Sequence, residues 1–199
     1  MGSVPRSSAV ETCLSQLERL HRHICPRQVL GVRIGLHAGE LLEVDLPRDD
    51  KRLLVFVETD GCFADAVSVA TGCWLGHRTL RLLDHGKSAA TVVDTLTGAA
   101  LRVWAHPAAR VRALERAPDA SDRWHAQLVG YRDMPSDVLL VAAPVTLMLD
   151  VDAIRSRPGR RVTCAACGED VVNEREVRRD GLVLCRACGG SPYYRVREA

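Results

Sequence analysis

The chain has no run of about 18 apolar residues, the length that crosses the hydrocarbon core of a bilayer, so a membrane-spanning helix is not expected. It also lacks a surplus of either charge. Against 27 basic residues stand 25 acidic ones, and the formal net charge of +2 is far from the strong basic field of a general nucleic-acid binder. Met1 to Val10 contains no apolar core of signal-peptide type, which argues against export. No internal repeat or low-complexity tract breaks the 199 residues. Lysine is nearly missing, with Lys51 and Lys87 alone, and arginine takes its place. What is present is an ordinary globular mixture, 47% hydrophobic and 26% charged, enough for one domain of usual size and a small appendage.

The cysteines fall into two groups, Cys13, Cys25, Cys62 and Cys73 early in the chain and Cys164, Cys167, Cys185 and Cys188 near its end. In a reducing cytoplasm, the expected location, such thiols are metal ligands or reactive groups rather than disulfides. Cys164-Ala-Ala-Cys167 and Cys185-Arg-Ala-Cys188 are two knuckles of equal length with 17 residues between them. Tetrahedral zinc needs four soft donors converging on one point, and each Cys-x-x-Cys turn offers two. The spacing predicts a zinc ribbon over residues 163–199, with Glu169 to Val172 and Leu182 to Leu184 as hairpin strands around the Asp180-Gly181 turn. So small a module draws its folding energy from Zn2+.

Before the ribbon, Arg155-Ser-Arg-Pro-Gly-Arg-Arg161 marks a linker over 155–162, which leaves residues 1–154 as the main domain. Its apolar periods predict a helix from residue 8 to about 20 and another starting at Pro26, with Val29, Val32 and Leu36 on its apolar face. Gly31 and Gly35, one turn apart, allow another element to approach that second helix closely. Leu53 to Asp60 reads as a buried strand, turned by Gly61 into a helix over Cys62 to Thr71 that Gly72 closes. An antiparallel meander over Thr79–Asp84, Ser88–Thr95 and Ala99–Ala105 follows, then helices over 108–117 and 121–133 and a last strand over Val145–Val151. The expected class is α+β: a mostly antiparallel sheet with helices packed on it, followed by the small zinc-ribbon domain.

His21-Arg-His23-Ile-Cys25-Pro26 is the second concentration of chemistry. Pro26 pushes Cys25 towards extended angles, and a fully extended stretch would put His21, His23 and Cys25 on one face. A helical stretch would align only His21 with Cys25. Two imidazoles and a thiolate suit zinc, nickel or iron. Cys25 and Cys62 each stand at a helix start, where the peptide dipoles favour thiolate, so either is a candidate nucleophile, with Asp65 one turn into the second helix. Cys13 reads as a buried small hydrophobe.

The string His21-Arg-His23-Ile-Cys25-Pro26 resembles the opening motif of the FmdE family of formylmethanofuran dehydrogenase components, usually His-Gly-His-x-Cys-Pro-Gly. Glu58-Thr-Asp-Gly-Cys62-Phe-Ala-Asp65-Ala is similar to the family's second motif, Ala70-Thr-Gly-Cys73-Trp-Leu-Gly76 to the third and Asp84-His-Gly-Lys87-Ser-Ala to the fourth. Arg22 and Arg27 stand at glycine positions of the family, and His85 replaces a common tyrosine. The resemblance implies an α+β domain, often a homodimer, with a metal cleft made by the His-x-His-x-Cys segment and Cys62. It further implies association with a molybdenum or tungsten enzyme handling formyl groups or formate, whose pterin cofactor belongs to a different, larger polypeptide.

Three functions compete on these grounds. The first is an accessory or maturation factor for such an enzyme, with His21, His23, Cys25 and Cys62 as the cleft ligands. The second is an enzyme using Cys25 or Cys62 as nucleophile with a histidine base and Asp65. The third is a zinc-ribbon regulator gripping nucleic acid through Arg155, Arg157, Arg160 and Arg161. It ranks last, because it would leave the main domain without a role; nine arginines and six carboxylates over residues 156–199 also leave the ribbon only weakly basic once four thiolates surround a dication.

Overall fold

A computed structural model describes residues 6–155 and 159–197. The chain divides into two compact units, Met1–Thr146 and Leu147–Ala199.

In the first unit, α1 (Arg6–His21) and α2 (Pro26–Leu41) lead into β1 (Leu53–Val57) and α3 (Cys62–Thr71). Then come β2 (Leu80–Leu82), β3 (Ala89–Asp94), β4 (Ala100–Ala105), α4 (Ala109–Arg116), α5 (Arg123–Asp133), the short α6 (Ser136–Leu139) and β5 (Leu140–Pro144). The five strands form one sheet in the order β2-β1-β3-β4-β5, antiparallel in every pairing except β1 with β2. The class is α+β, as expected.

Two expectations about the sheet do not hold. The strand near Thr79 joins no meander: β2 lies parallel to β1 (Val55 beside Leu80), on the side away from β3. Parallel neighbours need a crossover, and α3 provides it by returning the chain to the starting end of β1. The last strand is Leu140–Pro144, not Val145–Val151. Its residues fill the edge of β4, from Ala105 opposite Leu140 to Leu101 opposite Pro144, so the alternating residues beyond have no partner strand. Met148 there is 95% exposed, and Val151 opens a further short helix, α7 (Val151–Arg155), in the second unit.

Helix α2 was expected to bury one face; instead it is buried nearly all round, packing on α1, α3, α5, β3 and β4. Even Arg33, one of its two arginines, is inside. Arg33 donates to the carbonyls of Tyr131, Arg132 and Met134 and to Ser136 Oγ, satisfying the open end of α5 and placing a cation at the negative pole of that helix. Against α3 the approach is closest. A Cβ on Gly31 would stand 2.6 Å from Ala66 Cβ and 2.7 Å from the Phe63 carbonyl, and one on Gly35 would stand 2.8 Å from Ala70 Cβ. Successive turns of α2 meet successive turns of α3 in the same order, so the two helices run parallel and begin side by side.

The end of β3 is held by a buried ion pair. Asp94, 1% exposed, accepts from Arg52 Nε and Nη2 at 2.8 and 2.7 Å, and from Leu96 N and the Thr97 hydroxyl. The Arg52 guanidinium, above all, holds the Asp94 carboxyl far below the usual carboxylate range.

In the second unit β6 (Arg161–Thr163) pairs with β7 (Asp170–Val172), and β8 (Val177–Arg179) pairs with β9 (Leu182–Leu184). The expected turn at Asp180-Gly181 is present, with positive φ at both residues, but it joins β9 to β8. Of the expected linker, residues 156–158 lie outside the described residues, and Arg161 already belongs to β6. No described helix is long and apolar enough to cross a membrane.

Two outcomes test this packing. Gly31→Ala should lose about 1–3 kcal/mol in urea unfolding through overpacking against α3, although alanine gains about 1 kcal/mol in helix propensity. Asp94 has a folded pKa below its unfolded value of about 3.9, so its contribution is present above that pH and is lost as pH falls through the folded value. Asp94→Asn should therefore cost about 2–3 kcal/mol at neutral pH, with the deficit shrinking as the medium is acidified below about pH 4.

Candidate functional site

The parallel starts of α2 and α3 bring the two expected thiols together. Cys25 is the N-cap of α2, extended at φ −122° and ψ 160°, as the following proline demands. Its N–H donates to Oε1 of the fully buried Gln28 at 2.6 Å, which fixes the thiol's backbone. Cys62 is the first residue of α3, reached through Gly61 at φ 67° and ψ −152°, a conformation essentially restricted to glycine. The Cys25 and Cys62 thiols are close neighbours, near enough for one to bear on the ionisation of the other. Helix starts were expected to favour thiolate, but burial, and after it the neighbouring Cys25 thiol, push the Cys62 thiol up from its ordinary value.

The histidines are placed by a backbone path that neither simple geometry described. His21 is the last residue of α1, and Arg22 then turns the chain in the left-handed region at φ 60°, so residues 21–25 are neither fully extended nor helical. His21 Nε2 donates to Asp65 Oδ2 at 3.0 Å, and His23 Nδ1 donates to the His21 carbonyl at 2.8 Å. Each imidazole thus has one nitrogen held by an oxygen and the other left as a lone pair, His21 at Nδ1 and His23 at Nε2, the arrangement that orients metal-ligating histidines. The two rings stand edge to face, 6.1 Å between centroids. Asp65, expected as a catalytic group, acts here on His21.

These four side chains do not converge on one point. Among the described residues, the cysteines of the second unit form the one set of three or more histidine, cysteine and carboxylate ligand atoms that all lie within 4.8 Å of one another. The chemistry of the cleft still fits a soft cation: two neighbouring thiols, two imidazoles with prepared lone pairs, and the buried Gln28 Nε2, a donor with no partner among the described residues, beside Cys25. A metal-bound thiolate would accept from such a donor.

In the ribbon, Cys164, Cys167, Cys185 and Cys188 gather as the knuckle spacing predicts. Cys167 Sγ and Cys185 Sγ are 3.9 Å apart, close to the edge of about 3.8 Å that a tetrahedron with Zn–S bonds of about 2.3 Å requires. Backbone N–H groups already point at the sulfurs, Cys185 N to Cys164 Sγ at 3.2 Å and Cys188 N to Cys185 Sγ at 3.4 Å. Donation from the Cys167 and Cys185 backbones pulls the Cys164 thiol down to about 6, while its hydrogen bonds to Cys185 and Cys167 push Cys188 up to about 12. Four cysteines so placed can hold a metal ion.

Other thiols take no part. Cys13 is buried in the core. Cys73, at the far end of α3, is 2% exposed with Sγ 3.7 Å from the Leu53 carbonyl. His85 Nδ1 lies 3.8 Å from Glu58 Oε2 and is well exposed. Glu58 itself, which was not expected among the site residues, is buried and gripped by Arg102 through two bonds of 2.6 and 2.8 Å, which hold its carboxyl below the ordinary range. The Glu58 carbonyl also accepts from His85 N and Lys87 N, tying the fourth motif to the second. A carboxylate ending an apolar strand was the one signal the sequence offered for this pairing.

Residues 20–140 match the model of the family described as FmdE, molybdenum formylmethanofuran dehydrogenase operon. The chain belongs to the FmdE family. Among curated proteins, this FmdE chain is 30% identical over 213 residues to a probable S-adenosyl-L-methionine-binding protein of Archaeoglobus fulgidus, covering 95% of the chain and 55% of that protein, so it spans about half of its relative's length. Among solved structures, it is similar in fold to a tungsten formylmethanofuran dehydrogenase FmdE-like protein from Syntrophus aciditrophicus, at a TM-score of 0.58, with 23% identity over 93% of this chain and 95% of the other. The family's usual glycine in His-x-His now has a physical reason, because Arg22 occupies a left-handed backbone conformation. Arg22→Gly should therefore raise stability by about 0.5–1 kcal/mol, read as a higher urea midpoint at unchanged slope.

Proposed function

We propose that this FmdE-family protein is an accessory or maturation factor for a molybdenum or tungsten enzyme that handles formate or formyl groups, working in the cytoplasm as a homodimer. His21, His23, Cys25 and Cys62 take up a transition metal (zinc, nickel or iron), and the ribbon cysteines hold a structural Zn2+. The observation that carries the reading is the thiol pair at the joined starts of α2 and α3, with His21 turned towards the same helix by Asp65. Binding requires the His23 segment to swing inwards, and Arg22 is the hinge at which the backbone already departs from helix. The ribbon contributes folding energy through its metal.

A thiol enzyme would use the same residues differently, with His21 as a base oriented by Asp65 and a cysteine as nucleophile. S-adenosyl-L-methionine binding, named for the Archaeoglobus relative, describes a protein of which this chain spans only 55%, and no residue here is assigned to it.

Metal analysis of protein purified without an affinity tag should find two ions per chain. His23→Ala and Cys25→Ala should each lose one while the ribbon ion stays, and Cys167→Ala should lose the other. Unchanged stoichiometry in the His23 and Cys25 variants would remove the cleft site and leave the enzyme reading. Deleting the gene should lower the activity of the host's molybdenum or tungsten formate- or formyl-handling enzyme at unchanged polypeptide level; full activity in the deletion strain would overturn the accessory role.

A further inference from the structure

We infer that the main domain carries a second binding site, for a small organic anion bearing a phosphate or carboxylate group, that shares no lining residue with the thiol cleft. The site is a cavity of about 350 Å³ between the start of β3, the end of β4, the start of α4 and the face of α2 at Leu30. That volume lies at the small end of ligand pockets, about 300–1,000 Å³.

Its polar lining consists of donors. Lys87, Arg102 and Arg110 supply three cations, and no carboxylate is among the lining residues. Glu58 engages Arg102 through Nε and Nη2, leaving Nη1, while the guanidinium is stacked over Trp104 at 4.8 Å from the ring centroid. Arg102 is therefore held from two sides before any ligand arrives, and no carboxylate stands beside Lys87 or Arg110 among the lining residues. His106 Nδ1 accepts from Ala108 N at 3.0 Å, so the neutral ring carries its proton on Nε2 and presents a further donor. The start of α4 contributes Ala109 and Arg110 to the wall, and no side chain caps that helix, so its positive pole adds to the same field.

A cavity of cations and neutral donors is unfavourable to a cationic or purely apolar occupant and favourable to an oxyanion. The Arg102–Trp104 stack gives it one flat wall, which suits an anion attached to an unsaturated ring. Lys87 and Ser88 belong to the Asp84-His-Gly-Lys87-Ser-Ala motif, which the thiol cleft leaves without a role. The two bonds from the Glu58 carbonyl to His85 N and Lys87 N fix that loop at the cavity mouth.

The probe is phenyl phosphate, titrated calorimetrically into the full-length protein at low ionic strength, with inorganic phosphate and benzoate in parallel. Saturable binding of phenyl phosphate is expected. Lys87→Gln and Arg110→Gln should each weaken it by about tenfold, whereas Arg116→Gln, on the same helix but outside the cavity, should leave it unchanged. Both cavity positions are exposed at the surface, so the variants keep the fold. Binding of inorganic phosphate without benzoate assigns the head group as phosphate, and the reverse assigns it as carboxylate. No saturable binding of any of the three, or an equal loss in the Arg116 variant, overturns the site.

Discussion

Helix α2 can lie against α3 only because glycine faces alanine along the seam. Gly31 and Gly35 leave no space for a β-carbon, and Ala66 and Ala70 take up what room there is. Because the helices are parallel, their positive poles sit together, an arrangement that favours a negative group placed there. Cys25 and Cys62 stand at that position, although burial opposes ionisation of the Cys62 thiol. The same seam that buries Val29, Val32 and Val67 thus decides where the thiols meet, and the site is a consequence of the core rather than an addition to it.

Buried charge in this domain serves loops and helix ends. Arg33 closes the carbonyl end of α5, Asp94 and Arg52 fasten the turn after β3, and Glu58 with Arg102 ties the residue that follows β1 to β4. Each group is satisfied by several hydrogen bonds, which is the condition under which a buried charge is tolerated. The Glu58–Arg102 pair does more. It holds Arg102 beside Trp104 in the cavity wall, so a structural ion pair also positions one cation of the proposed anion site.

The two units solve the problem of stability differently. The first has a continuous apolar core from α1 through the sheet, and its thiol cleft is a local feature on that core. The second has two short hairpins and little buried surface, and among its buried hydrophobic residues are a ligand, Cys164, and Leu184, which directly precedes another. There the four gathered cysteines, which can hold a metal ion, stand where a core would.

Local chemistry made some of this legible without coordinates. The Cys-x-x-Cys spacing defined the ribbon ligands, Pro26 set Cys25 ahead of a helix, Gly61 marked the turn into the helix of Cys62, and the paired glycines announced a close helix contact, because turns, caps and periods are decided within a few residues. What sequence could not decide was everything set by distance in the chain. The crossover through α3 made β2 parallel, the filled edge of β4 denied a partner to the alternating residues 145–151, and a left-handed Arg22 gave His21 to Asp65 instead of to a shared ligand face. The partners of Glu58, Arg33 and Asp94 lie 44, about 100 and 42 residues away. Such pairings depend on which surfaces the packed helices and strands present to one another, and only the tertiary structure fixes that.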